Sequence, residues 1–320
     1  MSRFQSFLAP FIEAFITFQK ASGRWNGTYE QNLFLFDSHC TWSFPEAETL
    51  TQEMVESWCV QRTTESNNSC RTRIFVISNF VRYLREREIV DVVGPSIPKM
   101  EPCTYVPHAF TDFELANFFR ACDSLPPTPH TPAVLTRRIV VPVFFRLLYS
   151  SGIRTNEARM LRVDDVNLVQ GVLNIRHSKG HSQHYVVLHD TMLDLLRRYS
   201  AAIQALHPRR EYFFPAHNGS YLANQWVVYN FRKLWYKHNI PHATAYELRH
   251  NYAVENINQW IGEGFEFFSK LVYLSKSMGH ASLESTKYYF SLVPAMADIL
   301  LELTGRDFDN IVPGVDNEES

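Results

Sequence analysis

The sequence predicts a mainly α-helical protein with one small β-sheet, divided into a helical first domain and a mixed α/β second domain. Apolar residues recur at helical spacing along most of the 320 residues. A stretch with four prolines, 95–107, interrupts this pattern and is typical of a linker. Two short β-rich runs, 172–176 and 184–188, flank a Lys-Gly pair and predict a hairpin. The fold class follows from these three observations.

The domain bounds follow from the length of the chain and from these breaks in pattern. A chain of 320 residues is longer than one typical domain and is long enough for two. We expect a first domain over 1–92, a linker over 93–108, a second domain over 109–304 and an acidic tail over 305–320. The tail contributes −4 to the net charge of −2, which leaves about +2 for the rest. Any surface that contacts nucleic acid is therefore expected to be local.

The composition excludes several other classes of protein. A hydrophobic fraction of 45% is ordinary for a folded soluble protein, and the best apolar run, 139–145, is too short to span a membrane. The first residues lack the order of a secretory signal. The five cysteines are widely spread and form no C-x-x-C pair, so neither a disulfide framework nor a zinc site is indicated. We expect a soluble cytoplasmic protein.

Helices account for the whole of the first domain. Apolar spacing predicts helices near 7–18 and 29–36. Thr49 followed by Gln52 resembles a capping box, which would open a third helix that continues through Cys59.

The last helix of the first domain, expected over 71–88, has an apolar stripe and a basic face. The arginines on or beside this face are Arg71, Arg73, Arg82 and Arg85. A solvated charged face is the simple interpretation, and a face that contacts DNA phosphates is the alternative. This helix alone does not separate the two.

The second domain is expected to begin with a capped helix and to place other helices around the hairpin. Thr111 and Glu114 resemble a helix cap. The apolar segment 137–150 predicts a buried helix that is ended by Gly152. Helical patterns resume near 191 and continue to about 304.

Four segments of the second domain together carry the functional signal. They are Ser-Gly-Ile-Arg-Thr-Asn-Glu at 151–157, Arg-His-Ser-Lys-Gly-His at 176–181, Tyr-Glu-Leu-Arg-His at 246–250, and Met-Gly-His at 278–280 with Tyr289 nine residues after the histidine. Each is weak alone, but all four in this order are hard to obtain by chance. They resemble the tyrosine recombinase (phage integrase) family over about 110–300. The helical first domain more weakly resembles the SAM-like core-DNA-binding domain of that family.

The resemblance implies a catalytic set and explains its residue types. The catalytic residues would be Arg154, Lys179, Tyr246, Arg249, His280 and the nucleophile Tyr289, with Glu157 and His250 in support. A phosphodiester under attack gathers negative charge on its non-bridging oxygens, and the planar guanidinium of arginine can bind two of them at once. By resemblance, Lys179 protonates the leaving 5′ oxygen and the reaction needs no metal and no cofactor.

Two assignments in this set leave alternatives open. Tyr288 is the rival nucleophile, but neighbours on a helix point about 100° apart, so only one of the two tyrosines can face the arginines. By resemblance Glu157 orients the active-site network, whereas a plain i,i+3 ion pair with Arg154 explains its position equally well.

The sequence departs from the family pattern at two places. Tyr246 stands where the family has histidine, and a tyrosine hydroxyl is a poor base near neutral pH. His242 and His250 are nearby substitutes, although His250 is adjacent to Arg249 and is expected to point elsewhere or to be structural. The interval from Arg249 to His280 is also longer than usual, with the extra residues expected around 262–268.

The implied function is site-specific recombination of double-stranded DNA that integrates or excises a mobile element. By resemblance the enzyme works as a homotetramer on DNA, with the apolar segment 294–303 packed on a neighbouring subunit or on its own domain. An accessory DNA-bending protein is a further partner to test. The alternatives are a Xer-type resolvase, a catalytically weakened DNA-binding protein of the same fold, and a type IB topoisomerase.

Overall fold

The chain divides into two compact units, and the division lies between Tyr105 and Val106, inside the segment expected to be a linker. The computed structural model describes residues 3–289, apart from 24, 26, 103–104, 129, 177–182, 261–264 and 281. The prediction of a mostly helical chain with a small sheet is confirmed. Within this described part, no helix combines the length and the apolarity needed to cross a membrane.

Among its described residues, the first unit contains four helices around one apolar core. They are α1 (Ala9–Ala21), α2 (Gly27–Ser43), α3 (Gln52–Cys59) and α4 (Asn67–Arg85). Each presents an apolar stripe to the others, and side chains such as Ile12, Phe36, Val55, Ile77 and Phe80 have no exposed surface.

Two helix starts in the first unit differ from the expectation. The cap of α3 is Thr51 rather than Thr49, because Thr51 has extended backbone angles and its hydroxyl accepts a hydrogen bond from Met54 N. Helix α4 begins earlier than expected because Ser66 caps it by accepting from Ser69 N. Both caps are short polar side chains, whose use is decided by local backbone geometry rather than by apolar spacing.

The second unit contains eight α-helices, a short 3₁₀ helix and three strands among its described residues. In chain order they are α5 (Asp112–Asp123), α6 (Pro132–Ser151), α7 (Thr155–Arg159), the 3₁₀ helix (Val163–Asp165), β1 (Val166–Asn167), β2 (Val172–Ile175), β3 (His184–Val187), α8 (Asp190–Leu206), α9 (Asn224–Trp235), α10 (Glu247–Trp260), α11 (Phe265–Ser277) and α12 (Glu284–Lys287). The capping box of Thr111 and Glu114 is confirmed. Helix α6 starts at Pro132, before the expected 137, because Thr131 caps it.

The strands form one antiparallel sheet in the order β1-β2-β3. The expected pairing of β2 with β3 is confirmed, with Leu173 opposite Val186 and Ile175 opposite His184. Leu173, Ile175 and Val186 face the core, as alternation along a half-buried strand requires. Lys179 belongs to 177–182, which lies outside the described residues.

Helix α6 lies at the centre of the second unit and sets the position of the functional segments. Its Phe144 and Phe145 are fully buried against an aromatic cluster that includes Phe231 of α9. Helices α8 and α10 pack along it. A smaller apolar cluster joins α10 and α11 to Tyr289. The residues at the end of α6, at the start of α10 and after α11 are thereby brought together.

Candidate active site

Arg249 ties three separate segments together. It lies in the first turn of α10 and is only 2% exposed. Its Nη1 donates to Gly152 O at 2.6 Å, and its Nη2 donates to Met278 O at 2.7 Å. Burial and the nearby Arg154 cation lower the pKa of Arg249 from its ordinary, very high value. The guanidinium is thus held rigidly by backbone carbonyls.

Arg154 is fixed in a similar way at the start of α7. Glu157 accepts from the Arg154 backbone N–H and from its Nη1, both at 2.7 Å. The Arg154 Nη2 donates to Gly279 O at 2.9 Å. The Glu157 side chain is 1% exposed and that of Arg154 is 18% exposed. The i,i+3 ion pair between Glu157 and Arg154 is therefore present, and it holds the Arg154 side chain in place.

Two of the three carbonyls that accept hydrogen bonds from these arginines belong to glycines in the left-handed region. Gly152 has φ +62° and Gly279 has φ +64°. A Cβ on Gly152 would lie 2.2 Å from the Tyr252 ring, and one on Gly279 would lie 2.5 Å from the His184 ring. Other residues would be both strained and obstructed at these positions. Glycine therefore allows the backbone to approach closely enough to fix the arginines.

His280 lies between Arg249 and a buried threonine. Its Nε2 is 3.0 Å from Arg249 Nη2, and its Nδ1 is 2.7 Å from Thr286 Oγ1. Burial, followed by the positive charges of Arg249 and Arg154, lowers the pKa of His280 to about 4. The imidazole is therefore neutral near pH 7. Thr286 was missed by the sequence argument because its hydroxyl has no local pattern that signals this contact.

Tyr289 is the buried member of the tyrosine pair. It is 3% exposed, whereas Tyr288 is 44% exposed. The rings of Tyr289 and His280 are stacked, with centroids 6.1 Å apart and planes 15° apart. Burial raises the pKa of the Tyr289 hydroxyl, and Arg249 acts in the opposite direction. Of the two neighbours, Tyr289 is the one placed against the arginine cluster.

Tyr246 and His250 belong to the group of rings around Tyr289. Tyr246 precedes α10 and is 45% exposed, and its ring lies 5.1 Å from that of His250. The His250 ring lies 5.5 Å from that of Tyr289 and 6.2 Å from that of Tyr288. Burial and then Arg249 lower the pKa of His250. The expectation that His250 points away from the site is wrong, because one turn of α10 places its ring among the three tyrosines.

A cavity of about 890 Å³ opens beside these residues. Of the described residues, Arg154, Arg176 and Arg232 line it, together with His242 and Tyr246. His242 Nδ1 lies 3.0 Å from the hydroxyl of Tyr236. Arg232, on α9, is a cavity residue that the sequence argument did not identify. Cations on several walls suit the cavity to a polyanion such as a phosphate backbone.

The basic face of the first unit is only partly what the sequence suggested. Arg82 and Arg85 are exposed and line a shallow cleft of about 450 Å³, and Arg71 is half-buried. Arg73 is 4% exposed, pairs with Glu65 and donates to backbone carbonyls of α3 and its end, including Val60 O at 3.1 Å. Placing Arg73 with the DNA-binding arginines is therefore wrong, because it is enclosed by α3 and α4.

The described residues contain no group of three or more histidine, cysteine, aspartate or glutamate side chains that could hold a metal ion. Arginine side chains supply the positive charge among the described residues of this site. Lys179, expected to join them, is outside the described residues.

Comparison with known proteins finds one family model and several recombinases that are similar to this chain. The model of the phage integrase family matches residues 110–295. An integrase/recombinase of Sinorhizobium fredii is 25% identical over 318 residues, covering 96% of this chain and 98% of its own. The tyrosine recombinase XerC of Oceanobacillus iheyensis is 25% identical over 232 residues, which is 70% of each chain.

Solved structures with a similar fold include recombinases bound to DNA. The XerH site-specific recombinase in a post-cleavage complex with palindromic difH substrate has a TM-score of 0.61 and 19% identity, covering 87% of this chain and 78% of its own. A lambda integrase dimer bound to a COC′ core site has a TM-score of 0.60 and 14% identity, covering 88% and 76%. At these identities the similarity establishes the fold.

Proposed function

The chain belongs to the phage integrase family, and from this we propose that it cuts and rejoins duplex DNA through a covalent 3′-phosphotyrosyl intermediate on Tyr289. One observation carries the proposal. Arg154, Arg249 and the pair His280 and Tyr289 come from three separate segments and meet in one network of hydrogen bonds and stacked rings. A chance collection of such residues would not converge.

The two arginines supply the charge that phosphoryl transfer requires. Their guanidinium groups would bind the non-bridging oxygens, on which negative charge grows in the transition state. The Nε of Arg249 is buried and has no hydrogen-bond partner among the described residues. Because an unsatisfied buried donor is costly, a phosphate oxygen is the natural acceptor for this N–H.

The covalent step exchanges one phosphate ester for another. A new bond forms between the Tyr289 oxygen and phosphorus, while the bond from phosphorus to the 5′ oxygen breaks. The phenolic proton of Tyr289 passes to solvent water, and Lys179 delivers a proton to the departing 5′ oxygen and regains one from solvent. Attack by a 5′ hydroxyl on the phosphotyrosine reverses the step and rejoins DNA, so no external energy source is needed.

Double-stranded DNA with a specific site is the proposed partner, and a homotetramer is the proposed assembly. The full-length match to an integrase/recombinase favours a mobile element that is integrated or excised. A Xer-type resolvase is the alternative within the same chemistry, supported by the XerC similarity over 70% of the chain. In the first unit, Arg71, Arg82 and Arg85 would contact backbone phosphates, which position the protein without reading sequence. An accessory DNA-bending protein is a further candidate partner.

A covalent trap tests the nucleophile. Duplexes that bind Tyr289→Phe are selected from a random library, and the selected site is rebuilt with a nick next to the cleavage position. Wild-type protein is expected to form an adduct stable in detergent, with the DNA on Tyr289 by peptide mapping. Tyr288→Phe is the matched control and should retain the adduct, whereas Tyr289→Phe should form none.

The other outcomes of this trap identify the competing functions. An adduct on Tyr288 would overturn the assignment of Tyr289. Site-specific binding by wild-type protein without any adduct would support a catalytically weakened DNA-binding protein, a candidate favoured by Tyr246 in place of the family histidine. In a separate assay on closed circular DNA, relaxation of supercoils without site preference would instead indicate a type IB topoisomerase.

The role of Lys179 has a separate chemical test. A sulfur in place of the bridging 5′ oxygen leaves without needing a proton, because a thiol is far more acidic than an alcohol. Lys179→Ala is expected to cleave the oxygen substrate poorly and the sulfur substrate at close to the wild-type rate. Equal impairment on both substrates would remove Lys179 as the general acid.

A further inference from the structure

The proton on His280 can be located from its two neighbours. A guanidinium can only donate hydrogen bonds, so the Nε2 that lies 3.0 Å from Arg249 Nη2 must present its lone pair. A neutral imidazole carries one proton, which is then on Nδ1. The strongly lowered pKa of His280 agrees with a neutral ring near pH 7. The Nδ1–H therefore donates to Thr286 Oγ1 across 2.7 Å.

Thr286 is well suited to hold that proton in place. It has no exposed surface, so bulk water does not compete for its hydroxyl. It lies in α12, a single turn that also leads to Tyr289. We infer that Thr286 is a positioning residue that fixes the tautomer and the ring orientation of His280, and through them the Arg249 guanidinium and the plane on which Tyr289 stacks.

The alternative tautomer shows why this matters. With the proton on Nε2, an imidazole N–H would face the Arg249 N–H, and two donors at 3.0 Å repel. Arg249 or His280 would then move, and the hydrogen bond from Arg249 Nη2 to Met278 O at 2.7 Å would be disturbed. The His280 ring would also turn away from its stacked position on Tyr289. For catalysis, this inference rests on the proposed strand-exchange function.

The tautomer can be measured without DNA. The full chain is labelled with ring-¹⁵N histidine, and the His280 signals are identified by their loss in His280→Gln. At pH 7 the wild type is expected to show a protonated Nδ1 and an unprotonated Nε2. A proton on Nε2 in the wild type would overturn the inference even if every Thr286 variant failed to fold.

Three variants then separate the hydroxyl from the packing of the side chain. Thr286→Val removes the hydroxyl at nearly constant volume and should shift the His280 signals, whereas Thr286→Ser should keep them. Thr136→Val is the matched control, since buried Thr136 makes the same kind of contact with His207 Nε2 at 2.9 Å. Thr136→Val should shift the His207 signals and leave the His280 signals unchanged. Unchanged His280 signals in Thr286→Val would contradict the inference.

The catalytic consequence is measured on the nicked substrate. Thr286→Val is expected to form the Tyr289 adduct about tenfold more slowly, as for the loss of one hydrogen bond, and Thr286→Ser is expected to restore the rate. The expected tautomer without any wild-type adduct would refute the strand-exchange proposal and support the positioning of His280. The expected adduct on Tyr289 together with a proton on Nε2 of His280 would support the strand-exchange proposal and refute the positioning role of Thr286.

Discussion

Arg249 donates a hydrogen bond of 2.6 Å to the carbonyl oxygen of Gly152, although the two residues lie in different helical segments 97 positions apart. The contact joins the first turn of α10 to the end of α6. The same guanidinium also holds Met278 O. One side chain therefore fixes the relative positions of three segments that carry the proposed catalytic residues.

Arg249→Lys keeps the charge but removes the planar fork, so at least one of the two carbonyls loses its donor. We expect the free energy of unfolding to fall by about 1–3 kcal/mol and adduct formation to fall more than about 100-fold. Urea denaturation and the covalent trap measure the two effects. Arg232→Lys, at an exposed arginine that lines the cavity beside the site, should leave stability unchanged. Equal losses in both variants would contradict the special role of Arg249.

Gly152→Ala places a Cβ against the Tyr252 ring and imposes a left-handed backbone on alanine. The expected loss is about 2–3 kcal/mol of unfolding free energy, from backbone strain and overpacking together. Gly219→Ala is the control, since Gly219 also has positive φ but has nothing within 4 Å of the added Cβ. It should lose only about 1 kcal/mol. The difference between the two variants isolates the steric part.

Glu157→Gln removes the charge from a buried ion pair while keeping a hydrogen-bond acceptor. We expect the free energy of unfolding to fall by about 2 kcal/mol, because Arg154 loses a charge-assisted partner. Glu211→Gln breaks a comparable but exposed pair with Arg162, in which the side chains are 56% and 45% exposed. That change should stay within about 0.5 kcal/mol. Thermal or chemical unfolding of both variants makes the comparison.

The lowered pKa of His280 makes stability depend on pH in a defined window. The folded-state pKa of about 4 lies below the ordinary histidine value of 6.5, so the unfolded chain binds more protons between these values. The stabilisation is complete above about pH 6.5 and is lost as the pH falls towards 4. His280→Gln should flatten the curve of unfolding free energy between pH 4.5 and 6.5, by less than about 1.4 kcal/mol per pH unit. Parallel curves for the wild type and His280→Gln would exclude a contribution of His280 to the pH dependence of stability.

The arginines of α4 should separate into a structural and a DNA-contacting group. Arg73→Ala leaves Glu65 without its buried partner and should cost about 3 kcal/mol or more. Arg82→Ala and Arg85→Ala should leave stability within about 0.5 kcal/mol. Each should instead weaken DNA binding and reduce its salt dependence by about one counterion. DNA-binding titrations at several salt concentrations measure this salt dependence. If it is unchanged in Arg82→Ala and Arg85→Ala, these arginines do not contact DNA phosphates.

Much of the fold was accessible from local patterns. The capping box of Thr111 and Glu114, the end of α6 at Gly152 and the hairpin of β2 and β3 each depend on neighbouring residues, and each is found as expected. The start of α3 was misplaced by the sequence argument because both Thr49 and Thr51 can cap a helix. Only the backbone conformation of Thr51 decides between them.

The identities and order of Arg154, Arg249, His280 and Tyr289 were readable from the sequence, because they stand in short motifs with fixed spacing. The tertiary structure alone decided what these residues contact. It buried Tyr289 and left Tyr288 exposed, enclosed Arg73 beside Glu65, placed His250 among the tyrosines and set Thr286 against His280. Such contacts join residues from elements that pack together only when the core closes. Hydrogen bonds and burial depend on that long-range packing, which local spacing does not encode.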